Sequence, residues 1–463
     1  MKTFFTKSAL YLALTIPAFF FLGCDDSEEG GSYEFSVEPT VLTFSAKQET
    51  QTLSVRTYGD WSIVLPQDAA WLKVSAMSGR GPAEIEVTAE NYYRTDTSRT
   101  ARLTVTGGNS GDFHVEVVQR KLQMNDLSAA GKANCYIVPT SGDFVIDAAT
   151  QGNSESEQVG EWTSAELLWE DNRELITDLY GDPESKRIFF STAAAGNAVI
   201  AVKDASGKIL WSWHIWATDF DPNAKTLKYT NDNGSTWEFM DRNLGAANAE
   251  SGSFGAFGLL YQWGRKDPFT AATAFAPENP SETIRWNMLN NPLPAMASDA
   301  DSMGTVQLSI EHPTSFYVTR YAHGDWNGQP DPNLWGAVSG QKTVYDPCPA
   351  GWRVPAYDAQ GDSPYAFVTR QTTTGTDNIG RIYTDGNGND FLFPVAGSRV
   401  NGTGTLDCPG NYGSLWTATG KTTSNEDGTI EYGCLLFFTT GRLVSATYYD
   451  TRAQGVSVRC VKE

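Results

Sequence analysis

Apolar and polar side chains alternate with a period of two through residues 33–122. Ile85, Val87 and Ala89 point to one side of such a strand, and the same spacing recurs in 113–117. This period predicts antiparallel strands that bury one face and expose the other. Because several such strands follow one another between turn residues, we expect a β-sandwich in this segment.

Segment 124–219 has a different pattern, with strands that are apolar on both faces. Residues 199–202 and 210–216 contain few polar side chains, and the Asp, Ser and Gly residues of 204–207 indicate a hairpin turn between them. Strands that are apolar on both sides belong in the middle of a sandwich. The pattern therefore predicts a second β-sandwich module.

A cluster of tryptophans lies in the last strand of this second module. Trp211, Trp213 and Trp216 alternate there, and His214 stands among them without another histidine nearby. We expect the tryptophans to fill the core and His214 to be a hydrogen-bonded core residue. A binding role for the tryptophans is the alternative.

The N-terminus has the pattern of an export signal. Two lysines flank a short positive region, and the apolar run 9–22 that follows is too short to span a bilayer comfortably. The run ends in Phe-Leu-Gly-Cys, which resembles a lipobox. That resemblance implies that residues 1–23 are removed and that Cys24 carries acyl chains, which anchor a protein without a transmembrane helix. An ordinary signal peptide is the alternative.

Residues 24–32 form a short acidic segment directly after the lipobox. It resembles the signal that sends lipoproteins of the Bacteroidetes phylum to the cell exterior. The same composition is also typical of a flexible tether. We expect a lipid anchor in the outer membrane with the chain facing the exterior, and a periplasmic location is the alternative.

The charge balance limits the partners of this chain. The 34 Lys and Arg residues face 55 Asp and Glu residues, giving a net charge of −21. This excess disfavours nucleic acid and anionic lipid surfaces, since both need clustered basic side chains. The 43 glycines and the aromatic content of 12% are typical of a chain with many short strands and turns.

The first module resembles a BACON domain, a Bacteroidetes-associated module that is often N-terminal. The resemblance covers residues 33–122, and its matching features are Leu42, Phe44, Trp61, Trp71, Ser78-Gly79, Asn91 and Gln119. It implies either carbohydrate binding or a spacer that holds a distal domain off the membrane. We expect Trp61 and Trp71 to be core residues, with sugar stacking as the alternative.

The third segment, 226–463, resembles the Fibrobacter succinogenes major paralogous domain family. Six blocks occur in the order of that family: FMDRNLGA, GLLYQWGRKDPF, YDPCPAGWRVP, FPVAGSR, GSLWTATG and VSVRCVKE. The sequence departs from the family after WRVP, where Ala-Tyr-Asp follows, and at LWTAT. The resemblance implies a C-type-lectin-like fold. The chain is thus predicted to be mostly β and multi-domain, with two Ig-like β-sandwiches followed by an α+β C-type-lectin-like domain.

Five cysteines follow the anchor cysteine, and an exported location permits disulfides. The family resemblance implies that Cys348 pairs with Cys460, because these two lie in the blocks that open and close the lectin-like core. Cys408 and Cys434 are then expected to pair with one another. Cys135 is left as a free thiol.

A search for catalytic and metal-binding motifs predicts neither an enzyme nor a cofactor. The four histidines lack metal-binding spacing, and no nucleophile elbow or phosphate-binding loop is present. A carboxylate pair for glycan hydrolysis stays open, since its members can be distant in sequence. The Asp- and Asn-rich run 385–390 is compatible with calcium, although we favour a plain hairpin turn.

Exposed aromatic and amide side chains are the expected ligand contacts, because sugar rings stack on aromatic faces and loops on a rigid scaffold carry binding residues. The candidates are Trp326, Asn327, Trp335, Tyr412, Tyr448 and Tyr449. We predict adhesion through recognition of a glycan or surface glycoprotein, with the N-terminal modules as a stalk. The alternatives are a structural or tip subunit of a fimbria-like assembly and a glycan-processing enzyme.

Overall fold

The described residues fold as two compact units, which divide between Leu122 and Gln123. The computed structural model describes residues 35–463, except for 94–96, 108–110, 276–277, 279, 297, 300–303, 319–323, 375–379, 427 and 442. Strands hold 45% of the residues and helices 4%, so the prediction of a mostly β, multi-domain chain is confirmed. The export signal and Cys24 lie outside the described residues.

The first unit is a sandwich of two sheets, in the orders β1-β3-β7-β5 and β2-β9-β8-β4-β6. Its strands are β1 (Ser36–Glu38), β2 (Val41–Phe44), β3 (Glu49–Arg56), β4 (Asp60–Val64), β5 (Leu72–Val74), β6 (Ser78–Arg80), β7 (Ala83–Ala89), β8 (Arg99–Thr106) and β9 (Asp112–Gln119). Alternate side chains such as Leu53, Val87 and Leu103 are fully buried between the sheets, as the period of two predicts.

The two tryptophans of this unit differ in burial. Trp61 is 4% exposed, and its Nε1–H donates to the carbonyl oxygen of Gly81 over 3.0 Å. Trp71 is partly buried against the same core, and the guanidinium of Arg99 lies 4.3 Å from its ring centroid. The packing of both rings agrees with a core role.

A second pair of sheets begins the second unit, in the orders β10-β12-β15-β14 and β11-β17-β16-β13. The strands are β10 (Asn125–Asp126), β11 (Cys135–Val138), β12 (Gly142–Asp147), β13 (Ser164–Glu170), β14 (Ile176–Asp182), β15 (Arg187–Thr192), β16 (Gly196–Lys203) and β17 (Ile209–Ala217). Trp211, Trp213 and Trp216 are each at most 1% exposed, so the core interpretation of this cluster is confirmed.

The rest of the second unit is built from short strands, two short helices and one large sheet. Its elements are β18 (Thr226–Thr230), β19 (Thr236–Met240), β20 (Leu260–Gln262), β21 (Ser298–Asp299), α1 (Val306–Glu311), β22 (Phe316–Tyr317), β23 (Trp352–Arg353), α2 (Ala366–Gln371), β24 (Thr372–Thr374), β25 (Gly380–Thr384), β26 (Asp390–Pro394), β27 (Ser398–Arg399), β28 (Leu406–Asp407), β29 (Tyr412–Asn425), β30 (Gly428–Thr439), β31 (Val444–Thr451), β32 (Gly455–Ser457) and β33 (Val461–Lys462). The large sheet has the order β28-β27-β32-β29-β30-β31, and β20 also pairs with β32.

The predicted second and third modules share one hydrophobic core. Trp169 and Trp216 of the sandwich pack in the same buried cluster as Trp263 and Trp352 of the C-terminal segment. The side-chain amide of Asn134 also donates to the carbonyl oxygens of Val344 and Asp346, over 2.6 and 2.8 Å. The two-sided apolar strands explain this arrangement, because one face fills the sandwich and the other packs on the C-terminal segment.

The cysteines agree with the predictions in part. Cys348 and Cys460 are joined by a disulfide, as the family resemblance implies, and Cys135 is a buried free thiol. The predicted pairing of Cys408 with Cys434 is wrong, since both are free. Tyr412, the fourth residue after Cys408, pairs with Thr439, five residues along β30 from Cys434. Five strand residues span roughly 17 Å, well beyond the reach of a disulfide.

Candidate functional site

Three of the predicted ligand contacts are core residues, so their assignment to an exposed loop is wrong. Trp326 is 1% exposed, and its Nε1–H donates to the carbonyl oxygen of Trp263 over 2.7 Å. Trp335 is 0% exposed, and its Nε1–H donates to the backbone carbonyl oxygen of Tyr345 over 3.1 Å. Asn327 is 2% exposed and uses its amide within its own turn. The segment that carries them folds inward because the two indole rings fill the shared core.

The other three predicted contacts come together in a line of rings that we call the aromatic row. The row runs from Tyr412 on β29 through Phe437 on β30 to Tyr448 on β31, with ring centroids 5.5 and 4.9 Å apart. It continues from Tyr448 to Tyr449 at 6.3 Å and from Tyr449 to Tyr432 at 4.9 Å. Tyr448 is 44% exposed and Tyr449 39%, so the row presents aromatic surface to solvent.

The row lies where the pairing of β30 with β31 is irregular. The register shifts between Leu435 and Phe437, which is the signature of a bulge, and β31 is the edge strand of its sheet. The irregularity falls at residues 446–447, because Tyr448 and Tyr449 pair in regular register with Leu435 and Cys434. Successive side chains of a regular strand point to opposite faces, so the row passes from one face of the sheet to the other around this edge.

Polar groups flank the row at both ends. At one end the hydroxyl of Tyr412 donates to Asp407 Oδ2 over 3.0 Å and lies 2.7 Å from Ser398 Oγ. Burial raises the pKa of Tyr412, so this hydroxyl is neutral and able to donate at pH 7. At the other end Lys421 Nζ lies 3.8 Å from the ring centroid of Tyr449. The row therefore combines apolar ring surface with hydrogen-bonding groups, which is the chemistry that sugar recognition requires.

A buried charged group supports the sheet that carries the row. Arg452 is 1% exposed, pairs with Asp325 and Glu431 at 3.1 and 3.0 Å, and donates from Nε to the carbonyl oxygen of Tyr432 at 3.2 Å. Burial raises the pKa of Asp325, and the nearby Arg452 opposes that rise. These contacts hold the backbone of Tyr432 in place at one end of the row.

A groove of about 620 Å³ lies along the edge strand β11, in the second unit. The amides of His214 and Thr218 donate to the carbonyls of Asn134 and Val138, so alternate residues of β11 face β17. Cys135 and Ile137 therefore direct their backbone groups towards the groove. Its walls are largely apolar side chains, among them those of Leu127, Tyr136, Phe220, Pro222, Pro349 and Trp352.

The residues singled out for metal or acid–base chemistry have structural partners. Asp385 Oδ1 accepts the backbone amides of Asn387 and Asn389, both over 2.8 Å, which forms the hairpin turn between β25 and β26. His214 Nε2 lies 3.0 Å from Asn197 Oδ1, and burial lowers the pKa of His214 to about 3. Within the described part of the chain, no group of three or more His, Cys, Asp or Glu is placed to hold a metal.

Comparison with known families gives one match, in the first unit. The model of the BACON family, described as "Putative binding domain, N-terminal", matches residues 61–120. This match confirms the predicted BACON resemblance of that segment. No curated protein matches the chain.

Similar solved structures match parts of the chain. A Bacteroides ovatus GH5 xyloglucanase in complex with a XXXG heptasaccharide is 25% identical with a TM-score of 0.18, over 23% of this chain and 27% of that chain. A Bacteroides thetaiotaomicron protein solved by NMR is 19% identical with a TM-score of 0.16, over 22% of this chain and 100% of that chain. The BIgI domain of beta protein from S. agalactiae, bound to CEACAM1, is 14% identical with a TM-score of 0.15, over 19% and 98%. The chain thus covers about a quarter of the xyloglucanase.

None of the helices in the described part of the chain has the length and hydrophobicity of a membrane-spanning segment.

Proposed function

We propose that this chain is a surface lipoprotein that binds glycans through the aromatic row. The observation that carries the proposal is the contiguous line of rings at Tyr412, Phe437, Tyr448, Tyr449 and Tyr432, two of which are more than a third exposed. Sugars present apolar C–H faces to such rings and hydroxyl groups to the polar ends of the row. The BACON match in the first unit is compatible with a carbohydrate-related surface protein.

The anchor belongs to this proposal. Acylation of Cys24 would hold the chain at the outer membrane facing the exterior, and the first unit would then act as a spacer ahead of the second. Cys24→Ala is expected to release the protein from the membrane fraction or to leave its precursor unprocessed. A Cys24→Ala variant that stays acylated and membrane-bound would contradict the anchor.

The proposed fold of 226–463 is C-type-lectin-like. Support comes from the six ordered blocks, from the disulfide between Cys348 and Cys460 and from the mixture of a large sheet with two short helices. In this arrangement the sheet is the scaffold, and the binding rings lie on the three strands β29, β30 and β31 at one side of it.

A glycan array probed with the soluble chain from Ser27 onward tests the binding function. We expect specific hits that Tyr448→Ala weakens about fivefold, because a sugar buries roughly 40 Å² of apolar ring surface, equivalent to about 1 kcal/mol. Tyr58→Ala is the matched control, since Tyr58 is a 60% exposed tyrosine of the first unit. An array without hits, or equal losses from both variants, would contradict a role for the row.

The proposal contains no catalytic step. Incubation of the chain with each bound glycan should therefore return that glycan unchanged. Turnover that a single carboxylate substitution abolishes would instead assign the chain to the glycan-processing class.

The groove beside β11 favours a second candidate, a structural role in a surface assembly. Unpaired backbone groups at a strand edge accept an added strand from another polypeptide, and an apolar groove accommodates its side chains. Co-purification of the chain with fimbria-like subunits, lost when Ile137→Pro removes an edge amide, would support this candidate. Recovery of the protein alone under the same conditions would count against it.

A further inference from the structure

A polar cleft of about 500 Å³ opens in the second unit between residues 153–157 and 331–345. Its lining side chains carry amides, carboxylates and hydroxyls: Asn153, Ser154, Glu157, Asp331, Asn333, Ser339, Gln341 and Tyr345. The groove beside β11 is lined mainly by apolar groups, so the two recesses suit different ligands. Many hydrogen-bonding groups with one aromatic ring are suited to a hydroxyl-rich ring.

Some of these polar groups hold the loops of the cleft in place. Asp331 Oδ1 accepts the amide of Asn333 over 2.8 Å, and Asn333 Oδ1 accepts the amide of Ser339 over 2.9 Å. The hydroxyl of Ser154 likewise accepts the amide of Glu157 over 2.9 Å. The walls of the cleft are thereby fixed by their own short-range hydrogen bonds before any ligand arrives.

Asn153 differs from these residues. Its Oδ1 is buried and has no hydrogen-bond partner among the described atoms. An unpaired buried polar group costs about 1–3 kcal/mol. Asn153 lines the cleft, so a hydroxyl or ammonium donor from a ligand would remove that cost once the side chain turns its oxygen towards the ligand.

The charge of the cleft selects among hydroxyl-rich ligands. Glu157 is exposed, and no described Lys or Arg forms an ion pair with Glu157 or Asp331. The lining cation, Lys342, donates to the carbonyls of Cys348, Pro349 and Trp352 over 3.0, 2.8 and 2.6 Å. Burial raises the pKa of Tyr345, and the two carboxylates raise it further. The cleft therefore favours a cation and disfavours a second carboxylate.

We propose that this cleft binds an amino sugar. The ammonium group lies beside Glu157 and Asp331, and the ring hydroxyls bond to Asn153, Gln341 and the hydroxyl of Tyr345. The proposal rests on the proposed function for its ligand class, carbohydrate. Its site and its charge preference are independent of the aromatic row.

Calorimetric titration of the full chain with three single sugars tests the proposal. Glucosamine carries an ammonium group, glucose is neutral and glucuronate carries a carboxylate, and all three share the pyranose ring. We expect the affinity order glucosamine, glucose, glucuronate, with the glucosamine preference decreasing as salt is added. Asn153→Leu should weaken the binding of glucosamine about tenfold, which is the effect of one lost hydrogen bond.

Glu157→Gln provides a second variant that leaves the buried wall intact, because Glu157 is exposed. It should remove much of the preference for glucosamine over glucose while leaving glucose affinity unchanged. Tyr58→Ala, at a 60% exposed tyrosine of the first unit, is the matched control and should leave glucosamine binding unaltered. Equal binding of glucuronate and glucosamine, no binding of any of the three sugars, or unchanged glucosamine affinity in both cleft variants would overturn the proposal.

The two proposals fail separately. Array hits that depend on Tyr448, without glucosamine binding, would refute the cleft as a sugar site and support the aromatic row. Glucosamine binding that depends on Asn153, without hits that depend on Tyr448, would refute the row and support the cleft.

Discussion

Replacement of Trp326 by alanine should strongly destabilise the second unit. The indole is 1% exposed, and its Nε1–H bond to the carbonyl of Trp263 is 2.7 Å long. Truncation of a buried aromatic side chain to alanine costs about 3–5 kcal/mol. The carbonyl of Trp263 then also lacks its donor, which adds about 1 kcal/mol. The total is a large share of the roughly 5–15 kcal/mol that stabilises a typical protein.

Urea denaturation followed by tryptophan fluorescence measures this effect. We expect the midpoint of the second unit to fall by roughly 2 M, since the slope is about 1–3 kcal/mol per M. Trp326→Phe keeps an aromatic ring at this position but lacks the indole N–H, so its loss of stability should be less than half that of Trp326→Ala. Tyr448→Ala, at a position 44% exposed, should cost no more than about 1 kcal/mol. Equal midpoints for Trp326→Ala and the wild type would refute the core assignment.

Three further predictions concern thiols, pH and buried charge. Peptide mapping should find Cys408 and Cys434 as free thiols, with Cys434 alkylated only after unfolding because it is buried. Burial lowers the pKa of His214 from 6.5 to about 3, so between these pH values the unfolded chain binds a proton more readily than the folded chain. The free energy of unfolding therefore keeps its full value above pH 6.5 and falls as the pH decreases towards 3. The difference in unfolding free energy between the wild type and His214→Gln should shrink over that range, and a constant difference would contradict it. Arg452→Met should cost about 3–5 kcal/mol by leaving Asp325 unpaired, and Asp325→Leu added to it should recover part of the loss.

The sequence predicted the strands better than it predicted how the modules pack. A period of two specifies which side chains of a strand face inward, and Ile85 and Val87 are buried as expected. The two-sided apolar pattern of 210–216 also placed Trp213 and Trp216 in a core. The pattern did not reveal that Trp216 packs with the C-terminal segment, because periodicity shows that a face is covered without showing what covers it.

The candidate site was predicted in part for a similar reason. Trp326 stands beside Asn, Gly and Gln, a composition typical of exposed loops, and only the fold shows that its ring points inward. Tyr412 and Tyr448 were identified by residue type, but their alignment depends on the pairing of β29, β30 and β31. The polar cleft was missed because 153–157 and 331–345 are far apart in sequence. Their Asn-, Asp- and Ser-rich composition indicated only turns.

The link between Cys348 and Cys460 has a mechanical consequence. It closes a sequence separation of 112 residues that includes every ring of the aromatic row. If the chain is anchored at its N-terminus and pulled through a glycan held by Tyr448, the load can reach that ring through residues 348–448 or through the disulfide and residues 448–460. The shorter route limits extension within this loop to about 40 Å, against about 330–360 Å without the disulfide. A force applied to the bound glycan would therefore draw out the sheet that holds the ligand only a little before it unfolds other parts of the chain or breaks the glycan contact.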